Sequence, residues 1–141
     1  MKQVAVVYWS GGGNTEKMAQ AVCEGVKEAG SAAELIGAAA FSADKLGSFD
    51  AVAFGCPSMG AEELEETEFA PMFDACEGSL SGKPIALFGS YGWGDGQWMR
   101  DWEERCRAAG AVMASEFVIC QEEPDEEALQ ECRALGKALA G

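Results

Sequence analysis

The chain has 141 residues, 48% of them apolar and 24% charged, the make-up of one globular domain rather than a disordered segment. Ten Lys and Arg stand against 24 Asp and Glu, a formal charge of −14. That balance argues against nucleic acid, whose phosphates need a basic surface, and against anionic lipid. There is no histidine, so Ser-His and Cys-His catalytic pairs, histidine metal ligands and a phosphohistidine relay are all excluded.

The six cysteines are Cys23, Cys56, Cys76, Cys106, Cys120 and Cys132. None forms the close C-x-x-C pair that zinc and iron–sulfur sites use. They read as small core hydrophobes. The chain opens Met1-Lys2-Gln3-Val4 with no long apolar run, so no signal peptide and no membrane span are expected. Free thiols then point to the reducing cytoplasm.

In chain order, residues 3–9 form an apolar, Val-rich run, a buried strand that ends at Ser10-Gly11-Gly12-Gly13-Asn14-Thr15. Cap-type residues Asn14 and Thr15 start a helix to about Ala29, with Met18, Ala19, Val22, Cys23 and Val26 at i, i+3, i+4 spacing and Gly30 as its stop. Residues 33–36 read as a weaker strand, and 41–46 as a short helix capped by Ser42. A strand over 51–55 ends at Cys56-Pro57-Ser58-Met59-Gly60, and 69–76 is helical. A strand over 84–89 ends in the segment from Ser90 to Gly96. A helix over 98–109, a strand over 112–120 and a last helix over 125–140 complete the chain as one domain, residues 1–141. Alternating strands and helices imply an α/β protein, a three-layer αβα sandwich around a five-stranded parallel sheet. Ligands bind such sheets outside the carboxyl ends of the strands, where the strand order reverses.

Three of those strand ends, near Trp9, Gly55 and Gly89, lead into loops rich in Gly and Ser, each with a large side chain. Together they read as one composite site. In the first, glycines let the backbone approach an anion and point successive N–H groups inward. The helix start adds unpaired donors and partial positive charge. Ser10, Asn14 and Thr15 add side-chain donors. The Gly-Lys-Ser/Thr ending of a nucleotide-triphosphate loop is missing, and so is G-x-G-x-x-G. A cradle without a cation suits one terminal phosphate. In the other loops, Trp93 between Gly92 and Gly94, and Met59 before Gly60, suit stacking on a flat ring. The three loops together suggest a planar heterocycle that carries one phosphate.

The segments Tyr8–Met18, Gly55–Gly60 and Phe88–Gly96 resemble the motifs of bacterial short-chain flavodoxins of the clostridial and Megasphaera type. The resemblance runs from end to end and includes Gln121–Glu126. Flavodoxin is itself the standard instance of sheet order 2-1-3-4-5 with FMN at the switch point, so that order comes here from the resemblance. The longer flavodoxin class has an insertion in its last strand, for which residues 112–120 leave no room.

The resemblance implies non-covalent FMN. Ser10, Gly11, Gly12, Gly13, Asn14 and Thr15 would hold its phosphate, with Ser58 and Ser90 as further hydroxyl donors. Met59 would flank the inner face of the ring and Trp93 the outer. The Gly92 N–H would meet the pyrimidine carbonyl, and Glu62 would accept from the ring N3–H. The peptide after Gly60 would rotate on reduction so that its carbonyl accepts from N5–H, a motion that the lack of a side chain eases. The implied function is a low-potential one-electron carrier, not an enzyme, that shuttles FMN between semiquinone and hydroquinone. Its implied partners are redox proteins, the reductases and acceptors of flavodoxin and ferredoxin. A monomer is expected from the high like charge.

Two departures from the family pattern stand out. Gly12 replaces a usual Thr, which removes one hydroxyl bond to a charged group, worth up to ~1–3 kcal/mol, so weaker FMN binding is expected. Ala61 replaces an acidic residue. A unit charge ~10 Å from the flavin costs an added electron ~1–2 kcal/mol at an effective dielectric of ~20. A few carboxylates would thus lower the second potential on the order of 100 mV. Candidates are Glu62, Glu63, Glu65, Glu66, Asp95, Glu122 and Glu123. The acidic runs 62–68 and 122–131 would also steer basic partners. An FMN-dependent NAD(P)H quinone reductase would need a nicotinamide site and a basic residue, neither of which is seen. A phosphorylation receiver would need acidic residues where Ser10, Gly11, Cys56 and Pro57 stand.

Overall fold

The computed structural model describes residues 2–141. Its strands are β1 (Gln3–Tyr8), β2 (Ala32–Gly37), β3 (Ala51–Gly55), β4 (Pro84–Tyr91), β5 (Val112–Met113) and β6 (Val118–Gln121). Its helices are α1 (Asn14–Glu28), α2 (Phe69–Glu77), α3 (Gln97–Ala108) and α4 (Glu126–Ala140). Short 3-10 turns at Ala38–Ala40 and Ala43–Ser48 lead into β3. The residues expected to form a helix capped by Ser42 therefore make the tighter turn.

All pairings are parallel, and the order is β2-β1-β3-β4-β5, with β6 also on β4. The expected sandwich and sheet order hold, with one difference. The fifth position is not continuous over 112–120 but is built from two short strands on the same edge of β4. Val112 pairs with Pro84 and Met113 with Ile85, whereas Val118–Gln121 pair with Phe88–Tyr91. The ladder's last bond below the break runs from Ala114 N–H to the Ile85 carbonyl, at 2.9 Å. An edge strand has a partner on one side only, so a break there sacrifices few hydrogen bonds.

The central strands are buried on both faces, which is why they read as unbroken apolar runs. Alternation within them sends side chains to two separate cores. Val4, Val6, Ala53 and Phe88 pack under α1 and α4, whereas Val7, Val52, Phe54 and Leu87 pack under α2 and α3. On the second face Phe73 and Phe69 meet Trp102 edge to face, at 5.6 and 5.4 Å. Five of the six cysteines are buried and the sixth, Cys120, is partly so. Burial pushes the thiols of Cys56, Cys106 and Cys132 up to about 12. These are structural thiols, as expected.

Helices α1 and α4 approach to backbone contact. A Cβ on Gly25 would fall 2.0 Å from the Arg133 carbonyl oxygen, and one on Gly136 would fall 2.1 Å from that of Val22. Arg133 then closes the seam through Glu24 at 3.0 Å and Glu126 at 3.2 Å. This packing holds α1, and with it the first loop, at the carboxyl edge of the sheet.

Candidate functional site

The carboxyl ends of β1, β3 and β4 open side by side, and the three predicted loops leave from them. Gly55 and Gly89 make the close approach possible. A Cβ on Gly55 would enter the Phe88 ring, and one on Gly89 would lie 2.2 Å from the Cys56 carbonyl oxygen. Past the end of β3, Ser58 N–H donates to the carbonyl of Ser90, near the end of β4, at 3.0 Å.

The first loop turns on Ser10. Its Oγ accepts from Gly13 N–H at 3.1 Å and from Glu16 N–H at 3.3 Å. Ser10 thereby caps α1 from outside the helix. The cap position itself is Gly13, at φ 96, a left-handed backbone that suits glycine. Asn14 is the first helical residue rather than the cap its residue type suggested. The N–H groups of Gly11, Gly12, Asn14 and Thr15 find no acceptor among the described residues. Four free donors at a helix start, beside a hydroxyl whose own proton is uncommitted, form an anion cradle. Lys17, the cation nearest in sequence, is paired with Glu123 at 2.5 Å.

Thr15 and Ser90 were both expected to face the ligand. Ser90 lies within β4 rather than in a loop, and both residues are buried, their hydroxyls 3.0 Å apart. One proton is used between them, so the pair keeps one for a ligand.

The second loop is a tight turn. Met59 and Glu63 exchange backbone hydrogen bonds of 2.8 Å in both directions. The residues between reverse the chain, with Gly60 at φ 52 and Glu62 at φ 58. A glutamate with this backbone is uncommon and is held by other contacts. Here Glu62 Oε2 accepts from Trp98 N–H, at 3.3 Å in the first turn of α3. The Gly60 carbonyl accepts no hydrogen bond among the described residues.

The third loop carries Trp93, 62% exposed, and the second carries Met59, 37% exposed. Gln121 Nε2 donates to the Gly92 carbonyl at 3.2 Å, and the Gly92 N–H has no acceptor among the described residues. Trp98 is instead buried, with its indole N–H on the Cys56 carbonyl at 3.4 Å.

The acidic rim divides into distinct roles. Glu65 is buried and does not belong to a solvated face. Its carboxylate accepts from Thr67, Glu68 and Phe69 N–H, each at 2.8 Å, and from the Thr67 hydroxyl. Burial alone would raise its pKa, but the Thr67 hydroxyl and those three N–H groups outweigh burial and lower it. Asp95 pairs with Arg100 at 3.0 Å. Glu63, Glu66 and Glu122 are exposed and make no ion pair among the described residues.

The sequence reading missed three supports of the site: Ser10 as an external cap, the Trp98 N–H as partner of Glu62, and Glu65 as an external acceptor for the N–H groups that open α2. In each, a side-chain oxygen accepts from backbone N–H groups that only the folded turn or loop brings to it, and residue type alone carries no sign of it.

The sequence model of the family described as flavodoxin matches residues 6–136. The chain is 48% identical to the flavodoxin of Clostridium beijerinckii, over 96% of this chain and 97% of that one. It is 42% identical to the flavodoxin of Megasphaera elsdenii, over 97% and 98%. The solution structure of two-electron reduced Megasphaera elsdenii flavodoxin superposes with a TM-score of 0.90 at 43% identity, covering 97% of this chain and 98% of that one. The chain belongs to the flavodoxin family of small FMN-binding electron carriers.

Proposed function

We propose that the three loops form a single FMN site and that the chain, one domain over its length, works as a low-potential one-electron carrier without substrate chemistry of its own. The observation that carries this reading is the cradle of four free backbone N–H groups around Ser10, with Trp93 and Met59 exposed on the two neighbouring loops. That donor set fits a phosphate monoester, and the aromatic and thioether side chains fit a flat ring. FMN supplies the one-electron chemistry when bound.

The residues divide the work. Ser10, Gly11, Gly12, Gly13, Asn14 and Thr15 hold the phosphate, with Ser58 and the remaining hydroxyl proton of the Thr15–Ser90 pair as further donors. Met59 and Trp93 cover the two faces of the ring and keep water from it. The Gly92 N–H donates to the pyrimidine carbonyl, and Glu62 accepts from N3–H. The Gly60 carbonyl, which accepts no hydrogen bond among the described residues, would be the acceptor offered to the ring. Exposed carboxylates at Glu63, Glu66 and Glu122, together with Glu62, make an added negative charge costly. The same rim draws redox proteins with basic docking faces. Like charge keeps the chain a monomer in the cytoplasm. No helix of the described residues is long and apolar enough to cross a membrane.

Potentiometric titration of the FMN-loaded protein without oxygen tests the carrier reading. The second one-electron potential should lie well below that of free FMN. A value equal to that of free FMN would contradict it.

A further inference from the structure

We infer that Gly94 is a positioning residue: the bare Cα on the Trp93 loop leaves the space that the Glu62 carboxylate fills, and so sets where that carboxylate meets the cofactor. The inference rests on the reading that Glu62 faces FMN. A Cβ on Gly94 would lie 2.4 Å from Glu62 Oε1, 2.7 Å from Cδ and 3.2 Å from Oε2. The carboxylate is thus caught between Gly94 and the first turn of α3, where Trp98 N–H binds Oε2 at 3.3 Å. The partial positive charge at the start of this 12-residue helix favours an anion there. Oε1, the oxygen nearest Gly94, accepts no hydrogen bond among the described residues. It is the oxygen left for a ligand N–H.

The contact joins two of the site's loops, which the Ser58 N–H to Ser90 carbonyl bond already ties at their base. Glu62 belongs to the turn that carries Met59 and Gly60, and Gly94 follows Trp93. Any side chain at 94 pushes the end of a flexible glutamate rather than a strand or a helix, so the fold survives and the carboxylate shifts. Gly94 also has φ +89, where non-glycine residues are strained in their own right. A test must separate displacement of Glu62 from that strain.

The measurement is titration of apoprotein with FMN for wild type, Gly94→Ala, Gly94→Asn, Glu62→Ala and the double variant Gly94→Ala/Glu62→Ala, with urea unfolding of each apoprotein. Glu62→Ala and Gly94→Ala should each weaken binding about 10-fold or more, the worth of a hydrogen bond to a charged group. The double variant should bind no more weakly than Glu62→Ala, because the group that Cβ displaces is gone. Gly94→Asn tolerates the left-handed backbone yet keeps a Cβ, and should lose affinity as the alanine variant does. It replaces that variant in the series if Gly94→Ala does not fold. A full additional loss in the double variant, or wild-type binding by Gly94→Asn, would overturn the inference. Wild-type binding by Glu62→Ala would instead remove Glu62 from the site and take the inference with it.

Discussion

The hydroxyls of Thr15 and Ser90, 75 residues apart in the chain, meet at 3.0 Å beneath the carboxyl edge of the sheet. The bond ties the first turn of α1 to the end of β4, so the cradle and the Trp93 loop share one anchor. Both residues are almost fully buried, and a lone hydroxyl left there costs its desolvation. Ser90→Ala should destabilise the apoprotein by ~1–3 kcal/mol in urea unfolding. Adding Thr15→Val should cost less than the sum of the two single changes, since the orphaned partner is removed. Additive losses would show that the two hydroxyls do not act as a pair.

Gly12 is the position at which the site invites improvement. A Cβ there would meet nothing within 4 Å, and the residue does not adopt a positive φ. Gly12→Thr should therefore fit, and its hydroxyl should tighten FMN binding by about 10-fold in fluorescence titration. Unchanged or weaker binding would mean that the free backbone N–H groups already saturate the phosphate.

Glu65 makes stability depend on pH in a defined direction. Its hydrogen bonds hold the pKa below the ordinary glutamate range, so the carboxylate stabilises the fold fully above the pKa of an unfolded glutamate. The contribution is lost as pH falls through the lower, folded-state pKa. Glu65→Gln should destabilise the protein by ~1–3 kcal/mol at pH 7. The gap from wild type should close as both are acidified into the range where the native carboxylate protonates. A gap that stays constant under acid would contradict this.

The unpaired carboxylates should act on the potential and not on the fold. Glu63→Gln, Glu66→Gln and Glu122→Gln should each raise the second potential, by on the order of tens of mV at low salt, and added salt should shrink the effect. Glu123, paired with Lys17, should matter less. Equal effects at Glu123 and Glu63 would show that the ion pair has no electrostatic consequence.

The central strands and long helices were legible in the sequence because burial on both sides of β3 and the heptad-like face of α1 write themselves locally as runs and periods. The loops were legible by composition, since glycine and serine collect where the backbone must approach a ligand. The break between β5 and β6 was not legible, because an edge strand can lose its pairing without a glycine or proline to announce it. Nor was the true helix cap. Asn14 has the right residue type, but Gly13 adopts the left-handed turn and Ser10, three residues earlier, reaches forward to the helix start. Glu65 read as one more surface acid because its four donors become neighbours only when the turn from Glu65 to Phe69 forms. The contact of Gly94 with Glu62 spans two loops and exists only in the folded chain.

The central claim is that three loops make one site for a flavin with a terminal phosphate, and parallel titration of the apoprotein with FMN and with riboflavin tests it most directly. FMN should bind with its fluorescence strongly quenched by the Trp93 and Met59 faces, and riboflavin, which lacks the phosphate, should bind at least ~100-fold more weakly. Equal affinity for the two flavins, or FMN bound with its fluorescence intact, would contradict the account.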